Sequence, residues 1–167
     1  MSGENTEHTS PWVIAGRVLF TVALVGCIWF IFSNSMAVAT VSTGASGRVL
    51  SLLRRVLRRL GHPALADRLT MHIVRKLAHF CEYMLEGFLL MLCTRVYSRH
   101  PLRHITVPML GGVLTALADE TIQLFSDGRS SQVTDVWLDS AGILAGICVA
   151  LVLLALCRWL FHHQNKE

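Results

Sequence analysis

An imidazole three residues before a carboxylate, His79 and Glu82, stands within "RKLAHFCEYMLEGFLL", residues 75–90, a stretch otherwise apolar enough for lipid. That pair suits general acid and base work, and Glu120 is a second carboxylate that could serve with His79. Lys76, Tyr83, Asp119, Gln123, Arg129, Asp135 and Asp139 add an ammonium, a phenol, an amide, a guanidinium and further carboxylates, a set able to hold a polar ligand. Oxygen and imidazole groups of this kind could alternatively hold a divalent metal that activates water. No metal-ligand spacing is present, however, and no metal is assigned; the cofactor is left unknown. No serine elbow, Gly-rich phosphate loop, HExxH or CxxC supports a specific reaction.

Elements at home in a bilayer must position these charges. The chain has 167 residues, 53% of them hydrophobic and only 16% charged, a balance outside that of soluble domains. It reads as an integral membrane protein, multi-pass in the cell membrane, with one domain over 1–167. Spanning the hydrocarbon takes about 20 mostly apolar residues in a helix, because every backbone group must be satisfied internally. Four stretches qualify: Trp12 to Ser33, Ile73 to Tyr97, Ile105 to Phe125 and Thr134 to Phe161. Arg17 sits near the start of the first, where its long side chain can reach the headgroups. Pro101 and Pro108 punctuate the approach to the third, and "SDGRSS" predicts a turn before the fourth through Asp127 and Gly128. The fold class is therefore all-α, a membrane four-helix bundle.

A long connection, Asn34 to His72, separates the first two spans. Its Ser, Thr and Gly portion to Gly47 predicts extended or loosely ordered chain. From Arg48 to Leu60, Val49, Leu52, Leu53, Val56, Leu57 and Leu60 follow helical spacing, with arginines on the other face. This predicts an amphipathic helix lying in the interface, its leucines in the acyl boundary and its arginines gripping anionic membrane lipids. No aromatic residues interleave with the basic ones, so nucleic acid is not an expected partner. The five cysteines fall inside apolar segments at spacings that match neither a zinc site nor a disulfide framework, and they read as small packing residues. The start, "MSGENTEHTSPW", is acidic and polar, and the first apolar segment is too long for a signal-peptide core, so no cleavage is expected. The arginine-rich connection favours a cytoplasmic side for itself and an external amino terminus under the positive-inside tendency, but lipid binding gives those arginines another reason to exist.

A charge near the bilayer centre costs about 2.5–3.5 kcal/mol on insertion scales, so several of them demand partners. In an antiparallel bundle one membrane face receives the start of the second span, the end of the third and the start of the fourth. Counted from those ends at about 1.5 Å per residue, His79 and Glu82 lie about 9–14 Å deep, with Asp119, Glu120 and Asp139 at about 8–9 Å. One polar layer is expected there. Faces agree: Lys76, His79, Tyr83 and Glu86 form one stripe, Thr115, Asp119 and Gln123 another, and Asp135, Asp139, Gly142 and Gly146 a third. Gly142 and Gly146 form a small-xxx-small pair that would let the fourth helix pack closely, and Gly111 and Gly112 could do the same for the third.

"RKLAHFCEY" followed by "DETIQLFSDGRSSQVTDVWLDSAGILAG" resembles the VanZ-like family of small membrane proteins, whose pattern is K-x-x-H-F-x-E-Y, then D-E-x-x-Q-x-F, then G-R and a D-V-x-x-N-x-x-G run. The match spans the last three membrane segments, from Arg75 to Gly146. The resemblance implies that Lys76, His79, Phe80, Glu82, Tyr83, Asp119, Glu120, Gln123, Arg129 and Asp135 are family positions. It also implies an association with resistance to glycopeptide antibiotics, notably teicoplanin, at the bacterial envelope. Asp139 departs from the family's usual asparagine, and Glu86 stands where an apolar residue is common.

Three functions are compatible with these residues. The favoured one is a polar intramembrane pocket that binds a lipid-linked or lipophilic envelope molecule, such as a lipid-borne wall precursor or a lipophilic glycopeptide. Arg129 and Lys76 would grip a phosphate or carboxylate, and Asp119, Glu120 and Glu82 would take hydroxyls or amines. The rival is a membrane-embedded hydrolase or transferase using His79 with Glu82, Glu120 or Asp139. The third is a structural polar core in a partner-binding protein, with Lys76 and Arg129 paired to carboxylates and His79, Tyr83 and Gln123 closing hydrogen bonds.

Overall fold

A computed structural model describes residues 10–36, 39–98, 100–125 and 132–164 of the chain. Helix α1 (Pro11–Met36) starts on a proline, whose fixed φ suits the first helical turn. Trp12, Val18, Val22, Val25 and Trp29 project from it exposed, as side chains facing lipid do. Helices α2 (Ala39–Arg59) and α3 (Pro63–Arg68) follow, then α4 (Met71–Tyr97), a 3-10 turn (Pro101–His104), α5 (Thr106–Leu124) and α6 (Val133–Gln164). Among the described residues, α1, α4, α6 and the segment Leu102–Leu124 ending in α5 are long and apolar enough to cross a membrane. The expected all-α bundle of four spanning helices is therefore present.

Local chemistry sets the ends. The Thr70 hydroxyl accepts from the Ile73 amide at 3.3 Å and so caps α4. Asp135 in the first turn of α6 meets the positive end of the helix dipole. After α2 the chain reverses at Gly61, whose φ of +82° only glycine adopts without cost. There the Gly61 amide donates to the Arg58 carbonyl at 3.2 Å and the His62 amide to the Leu57 carbonyl at 2.9 Å, a Schellman closure.

Helix α4 is the hub, packing on α1, α5 and α6, with its broadest interface against α6. Glycines decide how close that interface is. A Cβ on Gly142 would lie 2.7 Å from the Phe80 carbonyl oxygen, one on Gly146 would collide with the Met84 carbonyl, and one on Gly87 would collide with the Ile143 carbonyl. The predicted small-xxx-small approach is thus real, and α4 answers it with Gly87. On α5, a Cβ on Gly112 would lie only 2.8 Å from the Ile143 side chain, so the two abut, whereas Gly111 meets only the Leu90 side chain at 3.6 Å and is not a close-contact position. Tyr83, Leu89, Met91, Ala116, Ile143, Ile147 and Ala150 make the apolar core beneath the polar layer, joined from α1 by Cys27 and Ile31.

Three details differ from expectation. Residues 39–47 are helical, so α2 begins nine residues before Arg48; the sparse apolar spacing of that Ser/Thr/Gly stretch hid it. Of the cysteines only Cys27 is buried, while Cys81, Cys148 and Cys157 are exposed on the bundle surface rather than packed inside it. Arg17 is half-buried and tied to the end of α4, its Nε donating to the Val96 carbonyl at 3.1 Å and its guanidinium lying 5.3 Å from the Tyr97 ring centre.

Helix α2 is amphipathic as predicted. Val49, Leu52, Val56 and Leu60 are exposed along one side, and an open groove of about 640 Å³ on the helix is lined by Arg54, Arg55, Arg58 and Arg59. Arg54 ties α2 to the end of α3 by donating to the Leu69 carbonyl at 2.6 Å, and Arg58 pairs with Asp67 on α3 at 2.8 Å. The second of these is solvent-exposed and adds little stability.

Candidate functional site

The end of α1, the start of α4, the end of α5 and the start of α6 share one end of the bundle, and each contributes polar side chains there. From α4, Lys76 pairs with Asp135 of α6, Nζ to Oδ1 2.8 Å. One helical turn further in, the His79 Nδ1 lies 4.0 Å from Glu82 Oε2. Ligand atoms of His79, Asp119 and Asp139, on three different helices, all fall within 4.8 Å of one another. The convergence expected from the sequence is thus seen: the polar stripes of three helices meet at these residues.

Hydrogen bonds fix several of the groups. Gln123 Nε2 donates to Asp119 Oδ2 at 2.9 Å, one helical turn along α5, and approaches Ser35 Oγ at 3.4 Å. The amide of Gln132 donates to Glu120 Oε2 at 3.2 Å, orienting that carboxylate toward the mouth. The Tyr83 hydroxyl is turned toward Asp119 without reaching direct hydrogen-bond geometry. Tyr83, Asp119 and Asp139 are all but inaccessible, at 0%, 0% and 1% exposure. Both Asp139 oxygens and the Asp119 Oδ1 have no hydrogen-bond partner. Buried carboxylate oxygens without a hydrogen-bond partner are costly.

Deeper along α4, Glu86 is also fully buried, with Thr115 of α5 across from it and neither carboxylate oxygen hydrogen-bonded. It lies on the predicted stripe but outside the cavity described next.

A cavity of about 100 Å³ opens among these residues. Its walls are His72, Arg75, Lys76 and His79 from α4, Glu120 and Gln123 from α5, and Gln132, Asp135, Leu138 and Asp139 from the start of α6. The volume matches about three waters or one compact polar group. It is far below the roughly 300–1,000 Å³ of sites that enclose a drug-sized ligand. Of the residues expected at the site, Lys76, His79, Glu120, Gln123, Asp135 and Asp139 line it, while Asp119, Glu82 and Tyr83 stand around it. Arg129, and the turn with Asp127 and Gly128, lie outside the described residues.

Two contributors were not foreseen. Asn34 Nδ2 donates to Glu82 Oε1 at 2.8 Å, and Ser35, wholly buried, meets Gln123. Both sit on the last turns of α1, which extends to Met36 rather than ending at Ser33. The signal was available: the end of the first span reaches the same membrane face as the other three ends, and "SNS" is its only polar run. His72 and Arg75 also line the cavity.

Fold and site together define a multi-pass α-helical membrane protein with a polar layer near one end of the bundle. The VanZ/LLP1 family model matches residues 19–155, most of the chain, and the protein belongs to that family, as the motifs in α4, α5 and α6 implied. No curated protein and no solved structure matches it.

Proposed function

We propose that the protein binds the polar head of a lipid-linked or lipophilic envelope molecule in the cavity at the end of the bundle, acting in the cell membrane. The observation that carries this reading is the cavity itself: it is polar, set within the span, and walled by groups of both signs. Its volume admits a phosphate, carboxylate, amine or single hydroxyl cluster rather than a whole sugar or antibiotic, so the rest of the molecule stays outside and its chains leave between helices. Arg75 and Arg129 would take an anionic group, and Glu120 and Asp139 hydroxyls or amines. The arginine face of α2 would meanwhile hold anionic lipid at the surface. Tolerance to glycopeptides, the property linked with the family, would follow from sequestering or presenting such a molecule.

Mass spectrometry of lipids retained by the purified protein tests this. A defined species is expected with the wild type and is expected to fall about tenfold or more in Leu138→Trp, which fills the cavity, and in Arg129→Ala, since contacts left unmade of about 1.4 kcal/mol amount to that factor. The same lipids in the same amounts in all three preparations would end the proposal.

The rival reading is a hydrolase or transferase on such a molecule. It draws on His79 beside Glu82, with Glu120 in the opposite cavity wall, groups placed for proton transfer. A chemically altered lipid in cells making the wild type but not His79→Ala would favour it; unchanged lipid chemistry with altered retention favours binding.

A further inference from the structure

The geometry points to a divalent metal ion held by His79, Asp119 and Asp139. We infer this from what the two aspartates lack as much as from where all three side chains stand. Their ligand atoms lie within 4.8 Å of one another on α4, α5 and α6. A tetrahedral ion bound at about 2.0–2.2 Å from each would draw them to about 3.3–3.6 Å apart, so the widest pair must close by about 1.2–1.5 Å, a distance that side-chain rotation covers without moving the helices. Asp139, at 1% exposure, has neither oxygen hydrogen-bonded, and no donor in the surrounding helices answers it. Asp119 is oriented in the manner of a ligand carboxylate: Gln123 holds Oδ2 at 2.9 Å and leaves Oδ1 free.

The electrostatic balance agrees. Among the described residues, Glu82, Asp119, Glu120, Asp135 and Asp139 surround the site, against Arg75 and Lys76, and Lys76 is already committed to Asp135. Two buried carboxylates with no cation between them repel and are poorly solvated; a divalent ion removes both costs at once. One imidazole nitrogen with carboxylate oxygens suits Zn²⁺ or Mn²⁺ better than an alkali ion. His79 and Asp139 also line the cavity, so the ion's remaining positions would face it, open to water or to an anionic oxygen. The inference deepens the head-group reading and rests on the same cavity, because an ion there would draw a phosphate or carboxylate inward.

The full chain, purified in detergent and stripped with a chelator, should take up about one Zn²⁺ or Mn²⁺ per chain in calorimetric titration and by elemental analysis. Asp139→Asn and His79→Ala should each weaken uptake about tenfold or more while leaving helical content and monodispersity intact. Zinc K-edge absorption on the wild type serves if either variant fails to fold, and should show one imidazole with oxygen ligands. No uptake by the wild type, undiminished uptake in Asp139→Asn, or two imidazoles in the spectrum would each overturn the inference. The outcomes separate from the lipid test: a retained lipid without an ion leaves the head-group reading standing, and an ion without a lipid leaves only the metal site.

Discussion

Gly146→Val is expected to abolish the folded bundle, giving aggregated protein on size exclusion or a melting temperature far below that of the wild type. On α6, Gly146 lies against the α4 backbone, where a Cβ would strike the Met84 carbonyl and stand 2.7 Å from the Phe88 amide nitrogen. A flexible side chain could give way, but main-chain atoms inside a helix cannot, so the two helices must part. Overpacking costs of about 1–3 kcal/mol are typical where side chains can adjust, and this contact belongs at or above the upper end. Against a total stability of about 5–15 kcal/mol the loss is severe. The displacement would also draw Asp139 on α6 away from His79 on α4, coupling the glycine crossing to the site. Gly26→Val is the control, because nothing lies within 4 Å of a Cβ there on α1. It is expected to fold normally, with any change within about 0.5 kcal/mol.

The second large effect concerns the ion pair between Lys76 and Asp135. Lys76→Met is expected to destabilise the protein by about 1–2 kcal/mol, leaving Asp135 within the span without its cation. A fully buried pair broken in this way loses about 3–5 kcal/mol. The side chains here are 34% and 25% exposed, and partial solvation reduces the figure. The double variant Lys76→Met with Asp135→Leu is expected to recover most of the loss, since neither charge is then stranded. Thermal unfolding in detergent of the four proteins in the cycle gives the coupling energy. Additive losses, with no recovery in the double variant, would show that the pair contributes nothing to the fold.

Much of the architecture was legible because hydrocarbon thickness and helical rise leave few alternatives. Four long apolar stretches gave four spanning helices, and counting residues from shared ends put His79, Asp119 and Asp139 at one depth, where the structure brings their ligand atoms within 4.8 Å. The glycine spacing on α6 was legible for the same reason: residues four apart share a helix face. Its partner, Gly87, was not, because a single glycine in an apolar run carries no spacing signal. Nor was α1's share of the site legible from hydropathy, which closed the span at Ser33 just where Asn34 and Ser35 turn inward. The helical form of residues 39–47 was hidden by low helix propensity, which continuation into the strongly periodic segment after Arg48 overrides. Which carboxylates would stay without hydrogen-bond partners is a matter of side-chain direction across three helices, and no one-dimensional pattern holds it.

Whether the polar layer is a wetted pocket, open to one side, can be read directly from thiol chemistry. In a chain whose natural cysteines are replaced by serine or alanine, Leu138→Cys faces the cavity, and Trp137→Cys sits at nearly the same depth but is exposed on the bundle's outer surface. A maleimide that cannot cross the membrane reacts only with thiolate in contact with water. Modification of Leu138→Cys is expected to run about tenfold or more faster than that of Trp137→Cys, and only from the membrane face where α1 and α5 end. Equal rates at the two positions, or reaction of Leu138→Cys from the opposite face, would contradict the account.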